Sequence, residues 1–155
     1  MRRLSTLIAL LLLLPCASAG VVPLTLSQLC SGASRIVRGQ VVGESVHWQG
    51  GMIVTDWTIA PALNLKGSGS LPFQVTVPGG TIAGVTMHAG EAPRLKVGED
   101  VILFLRPGVA ECDVYGWFRG KYTIVDGKIR EKAGTTADAF IASIQAELRG
   151  KEKDK

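Results

Sequence analysis

The stretch Val101-Ile102-Leu103-Phe104-Leu105 is apolar at every position. Successive side chains of a strand point to opposite faces, so a strand that is apolar throughout is covered on both sides. We therefore predict that 101–105 is the central, buried strand of a sheet. The segments around it alternate between apolar and polar residues over short lengths, which predicts a mainly β protein.

Outward from this strand, six further short strands are predicted, with Gly and Pro marking the turns between them. They span 35–43, 52–60, 73–77, 81–88, 114–118 and 122–125, and a hairpin turn is predicted at 47–51. Helical spacing predicts a short helix at 25–30 and an amphipathic helix that follows the capping box Thr135-x-x-Asp138 and ends at Gly150. This pattern favours a closed or partly open barrel with the C-terminal helix packed against it.

The first nineteen residues have the composition of a cleaved secretory signal peptide. A positive start precedes an apolar run over 4–14, and Ala17-Ser18-Ala19 provides a cleavage site before Gly20. The apolar run is shorter than the roughly 20 residues that a membrane-spanning helix needs. The alternatives are an uncleaved membrane anchor and a lipoprotein modified at Cys16.

Three segments follow from this interpretation: a signal peptide at 1–19, a β-barrel domain at 20–148 and a charged, disordered tail at 149–155. No later stretch of the sequence is long and apolar enough to cross a bilayer, so no membrane span is expected. The predicted location is periplasmic or extracellular.

Charge and cysteine content fit an exported domain without a nucleic-acid partner. Between Gly20 and Leu148 eleven basic residues are balanced by eleven acidic ones, whereas nucleic-acid binding needs a clustered basic face. Cleavage leaves two cysteines, Cys30 and Cys112. In an oxidising compartment they are predicted to form a disulfide, and two buried free thiols are the alternative.

Two sets of residues carry resemblances to known families. Segments 26–42, 53–56, 78–80 and 98–105 together resemble small secreted bacterial β-barrel proteins that bring no assigned activity. Segment 26–42 alone, a helix ending in a cysteine before a strand, resembles the netrin-like modules, which include the tissue inhibitors of metalloproteinases. The second resemblance implies a small five-stranded barrel of the oligonucleotide/oligosaccharide-binding (OB) type.

The netrin-like resemblance does not extend to the inhibitory mechanism. Those inhibitors chelate the protease zinc with a cysteine at the mature N-terminus, whereas this mature chain is predicted to begin at Gly20. The resemblance therefore implies the barrel fold for this chain but not the zinc-chelating mechanism.

Few residues form a pattern associated with catalysis. The chain has two histidines: His47 in the predicted hairpin turn, and His88 three residues before Glu91. A zinc site needs three or four ligands in fixed geometry, and the spacing defines no third ligand here. Asp56 lies within a predicted strand on the face opposite Trp57, and we interpret that face as the solvent side.

Nucleophilic motifs are likewise missing from the sequence, which has no Gly-x-Ser-x-Gly elbow. We expect no cofactor, no metal and no enzymatic activity. Aromatic residues are the remaining candidates for a binding surface: Trp48, Trp117, Tyr115 and Phe118. Trp117 and Phe118 are adjacent and would point to opposite faces of a strand.

The sequence therefore predicts an exported, non-enzymatic binding or structural module that acts through contacts with another exported protein. An inhibitor or accessory factor of a secreted protease is the first alternative. A small metal-dependent hydrolase is the second, and it would require His88, Glu91 and a further carboxylate to converge.

Overall fold

A computed structural model describes residues 24–108 and 111–152, so the predicted signal peptide at 1–19 and Cys16 lie outside the described residues. The described residues form two α-helices, one turn of 3-10 helix (Trp117–Gly120) and nine strands. The helices are α1 (Leu26–Gly32) and α2 (Ala137–Glu152). The strands are β1 (Arg35–Gln49), β2 (Met52–Lys66), β3 (Phe73–Pro78), β4 (Gly80–Ile82), β5 (Val85–Met87), β6 (Asp100–Pro107), β7 (Cys112–Val114), β8 (Lys121–Val125) and β9 (Lys128–Ile129).

Five of these strands form a ring. Strand β1 pairs antiparallel with both β2 and β6, β2 pairs with β3, and β6 pairs with β7. A parallel pairing between β3 and β7, at Val75 and Cys112, completes the ring. Strands β8 and β9 extend the sheet from β6, and β4 and β5 form a separate hairpin. The prediction of a mainly β protein with a C-terminal helix is confirmed.

The central strand is the predicted one. Residues 101–105 of β6 are fully buried, and β6 pairs with β1, β7 and β8. The side chains on its two faces belong to two different apolar clusters. Val101, Leu103 and Leu105 pack with the apolar residues of β1, β2 and β3. Ile102 and Phe104 pack under α1 and α2. The run of apolar residues is therefore explained by the ring on one side of β6 and the helices on the other.

The β1–β2 hairpin is longer and its turn tighter than predicted. Alternation continues through His47 and Trp48, which lie in β1 and not in a turn. The chain reverses at Gly50 and Gly51, both with positive φ, as a two-residue turn between twisted strands requires.

Two other predicted strands are corrected. The segment 81–88 is a hairpin, because the chain reverses at Ala83 and Gly84. The predicted strand 114–118 ends at Val114 and is followed by the 3-10 turn.

Helix α2 also departs from its predicted ends. Its N-terminal cap is Thr136, whose Oγ1 accepts a hydrogen bond from the Ala139 amide, and not Thr135. The helix continues through Gly150 to Glu152. The Lys151 ammonium, on one of the two added residues, donates to the Ser27 carbonyl of α1 at 2.6 Å. The prediction of a disordered tail is therefore wrong for 149–152, and 153–155 lie outside the described residues.

The predicted disulfide is not formed, because Cys30 and Cys112 are free thiols. Cys30 is fully buried in the cluster beneath the helices, whereas Cys112 packs against the cluster inside the ring. Burial raises the pKa of both thiols. Their side chains belong to different packing layers, one on each face of β6.

Candidate binding site

A groove lies where the β1–β2 turn, the paired strands β2 and β3 and the end of β7 meet. We call it the hairpin groove, and it is open to solvent. Its lining is mostly apolar. The residues are Gln49, Met52, Val54, Thr76, Pro78, Pro93, Arg106, Asp113, Val114 and Trp117.

Strand register places the lining residues of β2 and β3 on one face. Val54 is opposite Pro78, and Asp56 is opposite Thr76. These positions alternate with Thr55 and Val77, whose side chains point to the other face of the sheet. The β2–β3 face of the groove is therefore built by alternate residues of two strands that are about twenty residues apart in the chain.

Trp117 forms an exposed wall of the hairpin groove in an unusual backbone conformation. Its φ is 56°, in the left-handed region that a bulky side chain rarely adopts. The turn around it is held by two backbone hydrogen bonds, from Phe118 N to the Glu91 carbonyl and from Arg119 N to the Gly116 carbonyl. Such outliers persist where the surrounding structure imposes them, and they are concentrated at binding sites.

A polar cluster adjoins the hairpin groove at Thr76. The Thr76 hydroxyl donates to Asp56 Oδ1 at 2.6 Å, and His47 Nδ1 lies 3.6 Å from Asp56 Oδ2. Asp56 is only 9% exposed, so the expectation that its carboxylate is solvated is wrong. A buried carboxylate needs hydrogen-bond donors, and Thr76 supplies one to its first oxygen. Its second oxygen faces the imidazole of His47 beyond ordinary hydrogen-bond distance.

Three of the aromatic residues predicted as one binding surface, Trp48, Tyr115 and Trp117, lie in three different places. Trp48 is exposed, but it pairs with Ile53 and so lies on the opposite face of the hairpin from Met52. Tyr115 packs against the cluster beneath the helices, with its ring against Gly32. Trp117 alone of the three lines the hairpin groove.

Several lining residues were not singled out from the sequence: Met52, Val54, Thr76 and Pro78. Their alternation along β2 and β3 was visible, and it indicated which of them share a strand face. Which face would form a groove depends on the position of Trp117 and β7, and no local pattern shows this. The same holds for the contact between His47 and Asp56.

The residues considered for a metal site do not converge with a third ligand. His88 is exposed and borders a cavity that also contains Trp57. Across 24–108 and 111–152, no group of three or more His, Cys, Asp or Glu side chains is placed to hold a metal ion. In the same ranges, no helix is long and apolar enough to span a membrane.

Comparison with models of known families, with curated proteins and with solved structures finds no match to this chain.

Proposed function

We propose that the protein is an exported, non-enzymatic binding module and that its five-strand ring is a small OB-like barrel. Strand order supports the barrel. Counted along the chain, the ring strands β1, β2, β3, β6 and β7 pair in the order first, second, third, fifth, fourth and back to first. This order matches a five-stranded Greek-key barrel of the OB type.

The position of the hairpin groove is the observation that carries the binding function. OB barrels bind ligands on the face of their second and third strands, between the loop that joins strands one and two and the loop that joins strands four and five. The hairpin groove lies on the corresponding face, with Val54 and Thr76 on β2 and β3. Gln49 and Met52 flank the first loop, and Arg106 and Asp113 flank the other.

The chemistry of the lining favours a polypeptide ligand. Arg106 and Asp113 balance each other, and Asp56 adds a carboxylate beside Thr76, so the site is neutral to acidic. A nucleic-acid backbone needs several basic contacts, which this lining lacks. The apolar wall of Met52 and Trp117 instead suits an aliphatic side chain.

The spacing of side chains along β2 narrows the choice of peptide ligand further. Val54 and Asp56 share a strand face and are separated by about 7 Å. Positions i and i+2 of an extended peptide have the same separation. The proposed occupant is an extended segment of another exported protein, with an aliphatic side chain and, two residues away, a basic side chain.

Peptide titration tests the proposed groove. The probe is the acetylated, amidated peptide Gly-Gly-Leu-Gly-Lys-Gly-Gly, followed by NMR shifts of the mature protein, and a second peptide carries Glu in place of Lys. We expect saturable shifts around the hairpin groove with the Lys peptide and weaker ones with the Glu peptide. Trp117→Ala should abolish them and Trp48→Ala, on the other face of the hairpin, should not. Equal binding by both variants, or no saturable binding by the unsubstituted protein, would overturn the proposal.

Export is tested separately, on the full chain expressed in a bacterial host. The predicted leader supports a mature product that begins at Gly20 in the periplasm or medium. Intact mass and N-terminal sequencing measure this directly. Retention of residues 1–19, or a lipid on Cys16, would contradict cleavage after Ala19 without affecting the result of the peptide titration.

A further inference from the structure

A second concave site lies between the 88–99 loop and β8. More cationic than anionic side chains line it. It is open to solvent, and we call it the basic cavity. Phe118, the neighbour of Trp117, lines this site and not the hairpin groove. Six charged side chains line it: Arg94, Lys96, Lys121, Arg130, Glu99 and Glu131.

Two of the cations share one carboxylate. Lys121 Nζ lies 3.1 Å from Glu99 Oε2, and Arg130 Nη1 lies 3.3 Å from Glu99 Oε1. The Lys121 side chain is 8% exposed and that of Glu99 is 15% exposed. Burying charges is costly unless they are balanced, and here two positive charges face one negative charge. The pairing leaves an excess positive charge at the edge of the basic cavity.

The second carboxylate, Glu131, is held by neutral donors and forms no ion pair with these cations. Glu131 Oε2 accepts from the Thr123 amide at 2.7 Å, and Glu131 Oε1 accepts from the Thr123 hydroxyl at 2.8 Å. Asp100, the next acidic residue after Glu99, is paired with Arg38 at 2.7 Å. The nearby carboxylates thus have partners within the fold.

Donors remain available on the cations. A lysine ammonium has three N–H groups and a guanidinium has five, and Glu99 takes one contact from each of Lys121 and Arg130. Arg94 and Lys96 are exposed and form no ion pair within the described part of the chain. The basic cavity is therefore lined by cationic side chains whose N–H groups Glu99 does not all engage.

We propose that the basic cavity binds a dianionic oxyanion, the chemistry of a sulfate or phosphate group. Four cationic and two anionic side chains leave a formal charge of +2, which a dianion neutralises and a monoanion does not. Planar guanidinium groups such as those of Arg94 and Arg130 match the geometry of these oxyanions. The group could be a free ion or an ester on a larger molecule, and the ligand set of the test separates the two.

Titrations of the mature protein at pH 8, where phosphate and its esters are mainly dianions, and at constant ionic strength, followed by NMR, test the site. The probes are sodium sulfate, inorganic phosphate and glucose 6-phosphate, with chloride and acetate as monoanions. We expect saturable shifts at the basic cavity with the dianions and none with the monoanions. Tighter binding of glucose 6-phosphate than of phosphate would identify an ester as the ligand, and the reverse order a free ion.

A pair of double variants provides the matched control. Arg94→Gln with Lys96→Gln removes two exposed cations from the basic cavity and should weaken dianion binding about tenfold. Lys128→Gln with Arg149→Gln removes the same charge from exposed positions outside both sites and should leave the affinity unchanged. Equal weakening by both pairs, or equal binding of dianions and monoanions, would overturn the proposal by showing attraction to net charge alone.

Discussion

The backbone of Trp117 leads to a prediction in which glycine is more stable than alanine. Within the described residues, the non-glycine positions with positive φ are Ala83, Trp117 and Asp126. An L-residue in the left-handed region costs about 1–2 kcal/mol, which glycine avoids. Elsewhere glycine is about 0.5–1 kcal/mol less stable than alanine, because it loses more backbone freedom on folding.

The difference between these two terms gives the expected size of the effect. Trp117→Gly and Trp117→Ala remove nearly the same packing, so the lost contacts of the indole cancel in the comparison. Trp117→Gly should then be more stable than Trp117→Ala by about 0.5–1 kcal/mol. Phe118 is the matched control: it lies in the same turn, its side chain is as exposed as that of Trp117 (46% each), and its φ is not positive.

Urea unfolding of four variants, the Gly and Ala substitutions at Trp117 and at Phe118, is followed by circular dichroism and measures the difference. We expect the glycine variant to be the more stable at 117 and the alanine variant to be the more stable at 118. If alanine is preferred at both positions by the same margin, the left-handed turn does not strain Trp117 and the reasoning is refuted.

Three further predictions concern other parts of the fold. Ala83→Asn should raise the free energy of unfolding by about 0.5 kcal/mol, measured by urea unfolding, because Asn tolerates the positive φ of this hairpin turn; a lower stability would contradict that turn geometry. Lys66→Met should lower the free energy of unfolding by about 2 kcal/mol, because the Lys66 ammonium donates to the last carbonyls of α1. The control Lys128→Met, at an exposed strand position, should change that free energy little. Thiol titration of the unreduced mature protein should find the two free thiols of Cys30 and Cys112 after denaturation and slow reaction before it, because burial raises both pKa values. Because burial favours the protonated thiols, their contribution to the free energy of unfolding is complete at pH values below the ordinary thiol pKa. That contribution is lost as the pH rises through the raised pKa. Native thiols that react as fast as denatured ones would refute the burial of the two cysteines.

Local sequence patterns were sufficient for the elements whose environment is uniform along their length. The run 101–105 is apolar at every position, and it is the buried strand between the ring and the helices. Helix α2 was found because Phe140, Ile141 and Ile144 recur at helical spacing, and all three are buried. Its end was misplaced because the contact of Lys151 with α1 depends on a residue more than a hundred positions away.

Turns were predicted less well, because glycine signals a change of direction without specifying its extent. The segment 81–88 was predicted as one strand, yet Ala83 and Gly84 reverse the chain between two strands. His47 and Trp48 were assigned to a turn that the two glycines after them form by themselves. In each case the pairing partner determined where the strand ends, and pairing is not a local property.

The sequence by itself determined the mainly β class, the central strand 101–105 and the amphipathic C-terminal helix, because periodicity and burial are properties of single segments. The tertiary structure alone decided the closure of the ring through β3 and β7, the burial of Asp56 beside Thr76, and the separation of Trp48 from Trp117. These features depend on strand register, since a shift of one residue moves every side chain of a strand to its other face. Both proposed sites are built from segments brought together by that register, so neither could be assembled from the sequence.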